Sequence, residues 1–334
     1  MHPLKSVASS IFSISDENSF QQEALALFRY QAIHNEVYKQ YLKNLKIIPE
    51  QVKELAEIPF LPIEFFKTQQ LITGNEPIQE VFTSSGTTGM IQSKHYVTDI
   101  GIYEESYRKS FTLFYGNVQD YCILALLPSY LERDGSSLIY MANDLIKQSK
   151  HPESGFYLRN YEELLSQLEL LENKGQKTIL LGVTYSLLDI AELYVKGRYP
   201  KLQHTLVMET GGMKGKRKEM IREELHDVLC KSFGVTSIHS EYGMTELLSQ
   251  AYSKGKGKFT CPPWMRILIR DPNDPFTFLS HQQTGGINII DLANVNSCAF
   301  IASQDLGKTY MDGTFEILGR FDASDIRGCN LLVL

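Results

Sequence analysis

A run of seven small residues is the segment of this sequence best suited to binding a polyanion. It covers positions 83–89 and reads Thr-Ser-Ser-Gly-Thr-Thr-Gly, so five of its side chains carry hydroxyl groups. Such a segment cannot form a core, but its backbone N–H groups and hydroxyls can surround phosphates. It matches neither the G-x-x-x-x-G-K-[ST] phosphate loop nor the G-x-G-x-x-G dinucleotide motif. By itself, such a run more often marks an ordinary loop than a phosphate site.

Three later segments also carry residues suited to nucleotide chemistry. Ser-Glu-Tyr-Gly-Met-Thr-Glu occupies 240–246, directly after an apolar run. Ser-Gln-Asp-Leu-Gly occupies 303–307, and Gly-Arg-Phe-Asp occupies 319–322. Alone, Tyr-Gly-x-Thr-Glu is equally typical of a turn between a strand and a helix. The functional argument therefore rests on all four segments together.

In order and approximate spacing, the four segments resemble the motifs of the adenylate-forming enzymes, which include acyl-CoA synthetases, firefly luciferase and peptide-synthetase adenylation domains. The resemblance extends over about 81–328. It implies that ATP and a carboxylic acid react to give acyl-AMP and pyrophosphate. That reaction needs a carboxylate oxygen in line with the departing pyrophosphate, and it needs the phosphate charge to be neutralised.

The resemblance implies that the small-residue run holds the β- and γ-phosphates of ATP. The residues concerned are Ser84, Ser85, Gly86, Thr87, Thr88 and Gly89. Family members usually continue this loop with Pro and Lys, where this sequence has Ile91 and Gln92. The nearest cation is Lys94, which either reaches the pyrophosphate as a catalytic residue or is an ordinary surface lysine.

The second motif would contact the adenine ring, the α-phosphate and a metal ion. Tyr242 would stack on adenine, with Gly243 and Met244 beside it in the nucleotide site. Thr245 would bond the α-phosphate. Glu246 would help hold Mg²⁺, which prefers hard oxygen ligands such as carboxylates and phosphates.

The remaining nucleotide contacts fall on the sugar and the far side of the base. Asp305 would accept hydrogen bonds from the ribose hydroxyls, and Arg320 would lie close to the same sugar. Gly211 and Gly212 occupy the position of a glycine-rich turn against adenine, although an ordinary strand-to-helix turn fits the same place.

A narrower resemblance is to the acyl-protein synthetase of the bacterial bioluminescence fatty-acid reductase complex. It rests on the double serine at 84–85, on Pro-Ser-Tyr-Leu-Glu-Arg at 128–133 with Ser-Ser-Leu at 136–138, and on the short C-terminal part. It implies that a long-chain fatty acid is activated and passed to a late cysteine, then to a reductase. Cys329 matches, beside an arginine whose charge would favour the thiolate. The alternative is an inert buried thiol.

The sequence ends 12 residues after Asp322. Typical adenylate-forming enzymes continue there with a mobile C-terminal domain that delivers a lysine for adenylation. We therefore expect that domain to be absent and its lysine to be either lacking or supplied by a second protein.

Composition limits the class of protein. With 334 residues, 43% apolar and 22% charged, the chain is typical of a globular protein with one large domain or two packed ones. Its net charge of −6 argues against a nucleic-acid partner. Scattered cysteines without a C-x-x-C pair argue against disulfides and zinc. Since neither a signal peptide nor a long apolar run occurs, we expect a soluble cytoplasmic protein without a membrane span.

Alternating apolar runs and helical patterns predict an α/β fold, in which helices flank a mostly parallel sheet. The predicted helices lie within 19–45 and at 103–115, 161–173, 187–194 and 216–233, and the predicted parallel strands at 121–127, 178–183, 205–209 and 235–240. Runs separated by turns predict antiparallel strands at 264–270, 286–291 and 313–318. We expect an α/β core over 1–260 and a β-rich subdomain over 261–334.

Three functions remain open at this point. The leading hypothesis is an acyl-protein synthetase that uses ATP and Mg²⁺, acts on a fatty acid, and passes the acyl group to a reductase or a carrier protein. The alternatives are an acyl- or aryl-CoA ligase or carrier-protein ligase, and a non-catalytic nucleotide-binding subunit. We expect the acid pocket to lie around Tyr130, Thr184, Tyr185 and Gly211.

Overall fold

Helices and strands alternate along the first two thirds of the chain, as the apolar periodicity predicts. The computed structural model describes residues 10–84, 91–127, 135–158, 160–211 and 220–321. Its helices are α1 Glu17–His34, α2 Glu36–Asn44, α3 Phe65–Thr68, α4 Ile100–Tyr115, α5 Ser137–Ser149, α6 Tyr161–Asn173, α7 Thr184–Gly197 and α8 Arg222–Phe233. Single turns of 3₁₀ helix occur at Pro49–Gln51, Leu55–Glu57 and Val118–Asp120.

The strands follow the predicted division into an earlier and a later group. In chain order they are β1 Leu61–Pro62, β2 Glu80–Thr83, β3 Lys94–Val97, β4 Cys122–Leu126, β5 Gly155–Phe156, β6 Thr178–Val183, β7 Thr205–Thr210, β8 His239–Tyr242, β9 Ala251–Ser253, β10 Phe259–Thr260, β11 Met265–Arg270, β12 Gly285–Asp291, β13 Phe300–Thr309 and β14 Phe315–Arg320. Strands β2 and β3 form a separate antiparallel hairpin.

One large sheet joins the parallel and antiparallel strands. Its order is β11-β12-β13-β14-β10-β9-β8-β7-β6-β4-β5, and β1 pairs with β13 at one side. Pairing is parallel from β5 to β8 and antiparallel from β8 to β11. The fold is therefore mixed α/β with a β-rich later part, as predicted. The sheet continues across residue 260, and the division of the chain at that point stays a prediction.

Individual elements agree with the sequence patterns to different degrees. Helix α6 and strand β6 have the predicted bounds. The strand predicted at 235–240 is displaced, because pairing with β7 begins only at His239, opposite Met208. Strand β13 lay within no predicted strand, since its polar residues at 303–305 interrupt the apolar pattern. The hairpin of β2 and β3 was not predicted either, because each strand has only four residues.

Helix α1 is tied to the connection between β12 and β13 by buried amides. Gln31 Nε2 donates to the carbonyls of Asn294 (2.8 Å) and Val295 (3.0 Å), and Gln31 Oε1 accepts from Ala299 N (3.0 Å). Both the NH₂ group and the carbonyl oxygen of this side-chain amide are thus hydrogen-bonded, as a fully buried amide requires. The helix therefore fixes the path of residues 292–299.

Asp291, the last residue of β12, in turn holds the chain that follows β8. Its Oδ2 accepts from the backbone N–H groups of Leu248 (2.8 Å) and Ser249 (3.0 Å), and its Oδ1 accepts from Ser249 Oγ (2.5 Å) and Ala293 N (3.1 Å). Nearby, Asn294 Nδ2 donates to the Glu246 carbonyl at 2.8 Å. The end of the 240–246 motif is thus anchored to the β-rich part.

Replacing Asp291 with Asn should destabilise the fold by about 2–4 kcal/mol, because an amide nitrogen would face buried N–H donors. Urea unfolding at neutral pH measures the change in the free energy of unfolding. Asp227→Asn is the matched control. That carboxylate is exposed on the surface, and its ion pair with Lys231 is long, at 3.9 Å. Equal unfolding midpoints for the two variants would show that Asp291 does not anchor this region.

Candidate active site

Three of the predicted motif residues, from β8 and from the β13–β14 pair, meet through their side chains. The Tyr242 hydroxyl donates to Asp305 Oδ2 at 2.8 Å, and Arg320 Nε lies 3.3 Å from Asp305 Oδ1. Asp305 and Arg320 are partners in the β13–β14 register. The Tyr242 ring is held edge-on by Phe259 and Phe315, with centroids 6.1 and 5.9 Å away. Strand pairing places Asp305 beside Arg320, and a side-chain hydrogen bond joins this pair to Tyr242, about sixty residues earlier in the chain.

The electrostatics of this cluster keep Asp305 available as an acceptor. Burial raises the pKa of Asp305, while the Tyr242 hydroxyl and the Arg320 and Arg270 guanidinium groups oppose that shift. Burial also raises the pKa of Tyr242 well above its usual value, so its hydroxyl remains a donor. Each carboxylate oxygen has a second lone pair, so a ribose hydroxyl could still donate to it. The Arg320 side chain is 68% exposed and can meet an anionic ligand.

The β2–β3 hairpin holds Ser84, near the start of the small-residue run, next to Ser93, the residue before β3. Ser84 N donates to the Ser93 carbonyl (3.0 Å), and Ser93 N donates back to Ser84 Oγ (2.9 Å). The predicted phosphate-binding residues Ser85, Gly86, Thr87, Thr88 and Gly89 lie outside the described ranges. Their role stays a prediction, and Ser84 marks where the loop begins.

The same hairpin contacts the end of the 240–246 motif. The Ser93 side chain lies near the Glu246 carboxyl group and lowers its pKa, and His95 Nδ1 lies 2.9 Å from the Thr245 carbonyl. Side chains alternate along a strand, so Lys94 lies on the opposite face from these two contacts, where it is exposed. The structure thus places Ser93 and His95, which follow the small-residue loop, against Thr245 and Glu246. It does not bring Lys94 to these two residues.

Glu246 is a buried carboxyl group, and its role as a metal ligand stays a prediction. The residue is only 5% exposed, and burial raises its pKa while the Ser93 hydrogen bond and the Arg320 charge lower it. Within the described residues, no group of three or more His, Cys, Asp or Glu side chains could hold a metal ion. One carboxylate fits Mg²⁺ all the same, because this ion is commonly held by one or two carboxylates and substrate phosphates.

Gly211 closes β7 with the backbone conformation that a glycine turn requires. Its φ is +68°, and its carbonyl accepts from the Thr184 hydroxyl (2.8 Å) at the start of α7. Gly212 and the pocket residue Tyr130 lie outside the described residues. Tyr185 is buried beside Thr184. The structure therefore brings the described part of the expected acid pocket, Thr184, Tyr185 and Gly211, to the carboxyl ends of β6 and β7.

Glu241 lies within the 240–246 motif, but the family resemblance assigned no role to it. Its Oε2 accepts from the Thr210 hydroxyl at 2.5 Å, across the parallel pairing of β7 and β8. A Cβ added at Gly243 would lie 2.6 Å from Glu241 Oε1, so this carboxyl group explains why the motif has a glycine there. Met244 follows in a turn, its carbonyl accepting from Leu247 N at 3.1 Å.

The cysteines of the described part are poorly suited to act as nucleophiles. Burial raises the pKa of Cys122 to about 11 and those of Cys261 and Cys298 to about 12, and it also raises that of Cys230. Since the thiolate is the reactive form, these thiols stay protonated near neutral pH. Cys329 lies outside the described residues, and its role stays a prediction.

Comparison with known proteins agrees with the family that the motifs indicate. Residues 7–106 match the family model described as "Acyl-protein synthetase, LuxE". A long-chain-fatty-acid–luciferin-component ligase of Vibrio harveyi is 23% identical over 91% of this chain and 84% of its own length. The predicted family resemblance is confirmed. A ligase of the same name from Photorhabdus luminescens is 36% identical over 22% of this chain and 66% of its own.

Solved structures confirm the fold of the adenylate-forming enzymes. An open 2-hydroxyisobutyryl-CoA ligase in complex with 2-HIB-AMP and CoA has a TM-score of 0.67 at 13% identity, over 92% of this chain and 71% of its own. ATP-bound MatB from Rhodopseudomonas palustris has a TM-score of 0.55 at 16% identity and covers 74% of this chain. The chain spans about half (49%) of that MatB structure. Among the described helices, none is long and apolar enough to cross a membrane.

The buried Glu241 carboxyl should make stability depend on pH. Burial raises its pKa from 4.5 to about 7, with the nearby Glu209 adding to the shift and the Thr210 hydrogen bond opposing it. The folded state therefore holds this proton more tightly than the unfolded state. The contribution of Glu241 to the free energy of unfolding is fully present below about pH 4.5. It is lost as pH rises through about 7, by up to about 3 kcal/mol.

Glu241→Gln should remove that pH dependence, because the amide does not ionise. Thermal unfolding of both proteins from pH 5 to pH 8 measures it, and the wild-type midpoint should fall relative to that of the variant as pH rises. Glu169→Gln is the control, since this exposed carboxyl should leave the wild-type profile unchanged. Parallel profiles for wild type and Glu241→Gln would mean that Glu241 is not a buried neutral acid.

Proposed function

We propose that this chain is an ATP-dependent acyl ligase that activates a long-chain fatty acid as acyl-AMP and transfers the acyl group to a protein cysteine. One observation carries the proposal: the hairpin beside the small-residue loop lies directly against Thr245 and Glu246. These are the residues proposed to act at the α-phosphate and the metal. The V. harveyi relative, named for a long-chain fatty acid, supports the substrate class.

The proposed activation step uses residues from four parts of the chain. Tyr242 and Asp305 orient adenosine, while the loop that begins at Ser84 holds the β- and γ-phosphates. A carboxylate oxygen of the acid attacks the α-phosphorus, and the bond to pyrophosphate breaks, which gives acyl-AMP and pyrophosphate. Thr245 bonds the α-phosphate as its charge develops, and Glu246 holds Mg²⁺, which when bound neutralises phosphate charge.

The proposed second step transfers the acyl group to sulfur. The Cys329 thiolate attacks the acyl carbon, a thioester forms, and AMP leaves with the electrons of the broken acyl–phosphate bond. The thiol proton passes to solvent before the attack. The raised pKa values of the described cysteines favour Cys329 for this role. A reductase or a carrier protein would then accept the acyl group.

A CoA or carrier-protein ligase is the second candidate. It is favoured by the likeness to 2-hydroxyisobutyryl-CoA ligase, which extends over 92% of this chain and includes a complex with CoA. Both candidates share the acyl-AMP step and differ only in the thiol that accepts the acyl group. The experiments therefore test activation and transfer separately.

Activation should appear as exchange of labelled pyrophosphate into ATP that depends on a fatty acid and on Mg²⁺. Thr245→Ala should slow this exchange by about 10²–10³-fold, the usual loss when one donor to a developing charge is removed. Thr112→Ala is the control, since that hydroxyl is exposed on α4 and bonds only the Arg108 carbonyl. If ATP binds but no acid in a series of graded chain lengths supports exchange, the chain is a nucleotide-binding subunit instead.

Transfer should appear as a protein-bound acyl label that hydroxylamine releases. Cys329→Ser should lose this label while pyrophosphate exchange continues, because only the acceptor is removed. Cys230→Ser, a change at a half-buried cysteine of α8, should label like the wild type. Full labelling of Cys329→Ser contradicts self-acylation. Formation of acyl-CoA in place of labelled protein, when CoA is added, would identify the second candidate.

A further inference from the structure

The hydrogen bond between His95 and the Thr245 carbonyl connects the loop hairpin to the proposed catalytic segment through one side chain. We propose that His95 is a positioning residue, which sets the placement of the Thr245 hydroxyl at the α-phosphate by holding the Thr245 backbone. The proposal rests on the proposed function, because it concerns the same acyl-AMP step. His95 belongs to none of the four motifs.

The geometry allows only one form of this hydrogen bond. A carbonyl oxygen can only accept, so His95 Nδ1 carries the proton at 2.9 Å. His95 is 1% exposed, and burial lowers its pKa to about 4, so the ring is neutral. Its Nε2 therefore carries no proton. This nitrogen is buried without a hydrogen-bond partner among the described residues. An unpaired buried nitrogen is costly, so packing alone does not account for a histidine here.

The surroundings of His95 leave its ring little freedom. Phe82 is its partner in the β2–β3 register, and the Phe66 ring packs edge-on with centroids 5.6 Å apart. On the same face, just before β3, Ser93 bonds Ser84 and lies near the Glu246 carboxyl group. Two contacts from this segment thus lie against two successive residues of the motif. The base of the phosphate loop and the Thr245–Glu246 pair should keep a fixed separation.

The expected effect is on the rate of activation rather than on ATP binding. The Thr245 hydroxyl would bond the α-phosphate most strongly in the transition state, when charge develops there. Misplacing such a group by about 1 Å can cost about 10²-fold in rate. Adenine and ribose contacts come from Tyr242 and Asp305, which His95 does not touch. KM for ATP should therefore change little while kcat falls.

Two variants that place an amide nitrogen at different distances from the backbone test the proposal. In His95→Asn the amide nitrogen replaces Nδ1 and can still donate to the Thr245 carbonyl, whereas in His95→Gln it lies farther out, near the position of Nε2. We expect kcat for pyrophosphate exchange to fall about 10–100-fold in His95→Gln and to be largely restored in His95→Asn. Equal losses in the two variants would overturn the proposal.

A stability control and a double-mutant cycle separate positioning from loss of folding. Phe233→Leu shortens a fully buried ring of α8 that packs on Tyr194 and not on His95, so it should lower the thermal midpoint with kcat retained per folded molecule. His95→Gln should have little further effect on kcat in a Thr245→Ala background, because the group that it positions is already gone. Additive losses would show that His95 acts elsewhere.

The outcomes also distinguish this proposal from the proposed function. Absence of exchange in the wild-type protein rejects the function itself. Full exchange in folded His95→Gln, with exchange lost in Thr245→Ala, rejects only the role of His95. If His95→Gln does not fold, His95→Asn and Phe233→Leu still decide: a kcat in His95→Asn far below that in Phe233→Leu, at matched stability, argues against positioning.

Discussion

The buried carboxylate of Asp291 is the constraint on which the site depends. A carboxylate in a low-dielectric interior is stable only when its oxygens are fully hydrogen-bonded. Asp291 accepts four hydrogen bonds, and three of them come from Leu248 and Ser249. The chain between β8 and β9 therefore has one path. That path fixes where Thr245 and Glu246 lie relative to β12, and through the connection of residues 292–299 it also depends on Gln31 of α1.

The candidate site is assembled at the junction of the two kinds of strand pairing. Glu241 and Tyr242 end β8, which pairs in parallel with β7 on one side and antiparallel with β9 on the other. Asp305 and Arg320 reach the junction from the antiparallel strands. Arg222 strengthens it, since its Nε lies 3.3 Å from Glu209 on β7 and its Nη1 donates to the Ile317 carbonyl on β14 at 3.0 Å. Neither half of the sheet could form the site alone.

The sequence predicted helices and strands correctly where a single local pattern determines the secondary structure. Strand β6 is apolar throughout and α6 has a strong helical period, so both were predicted with their bounds. The family motifs assigned Tyr242, Asp305 and Arg320 to one nucleotide but did not predict the hydrogen bond between Tyr242 and Asp305. Their spacing could not reveal Ser93 and His95, because the short hairpin has no distinctive periodicity and its contacts depend on tertiary packing. Glu241 was missed for a related reason: its significance lies in the neighbour that it faces, Gly243.

The proximity of Glu241 and Gly243 has a consequence for how this site can vary. The space that a side chain at 243 would fill already contains an oxygen of the Glu241 carboxyl group. A larger residue at 243 therefore requires the side chain at 241 to move or to become shorter. The two positions constrain each other as a pair, and attempts to reshape the pocket by changing one of them alone will meet a steric barrier. Libraries for redesign should vary them together.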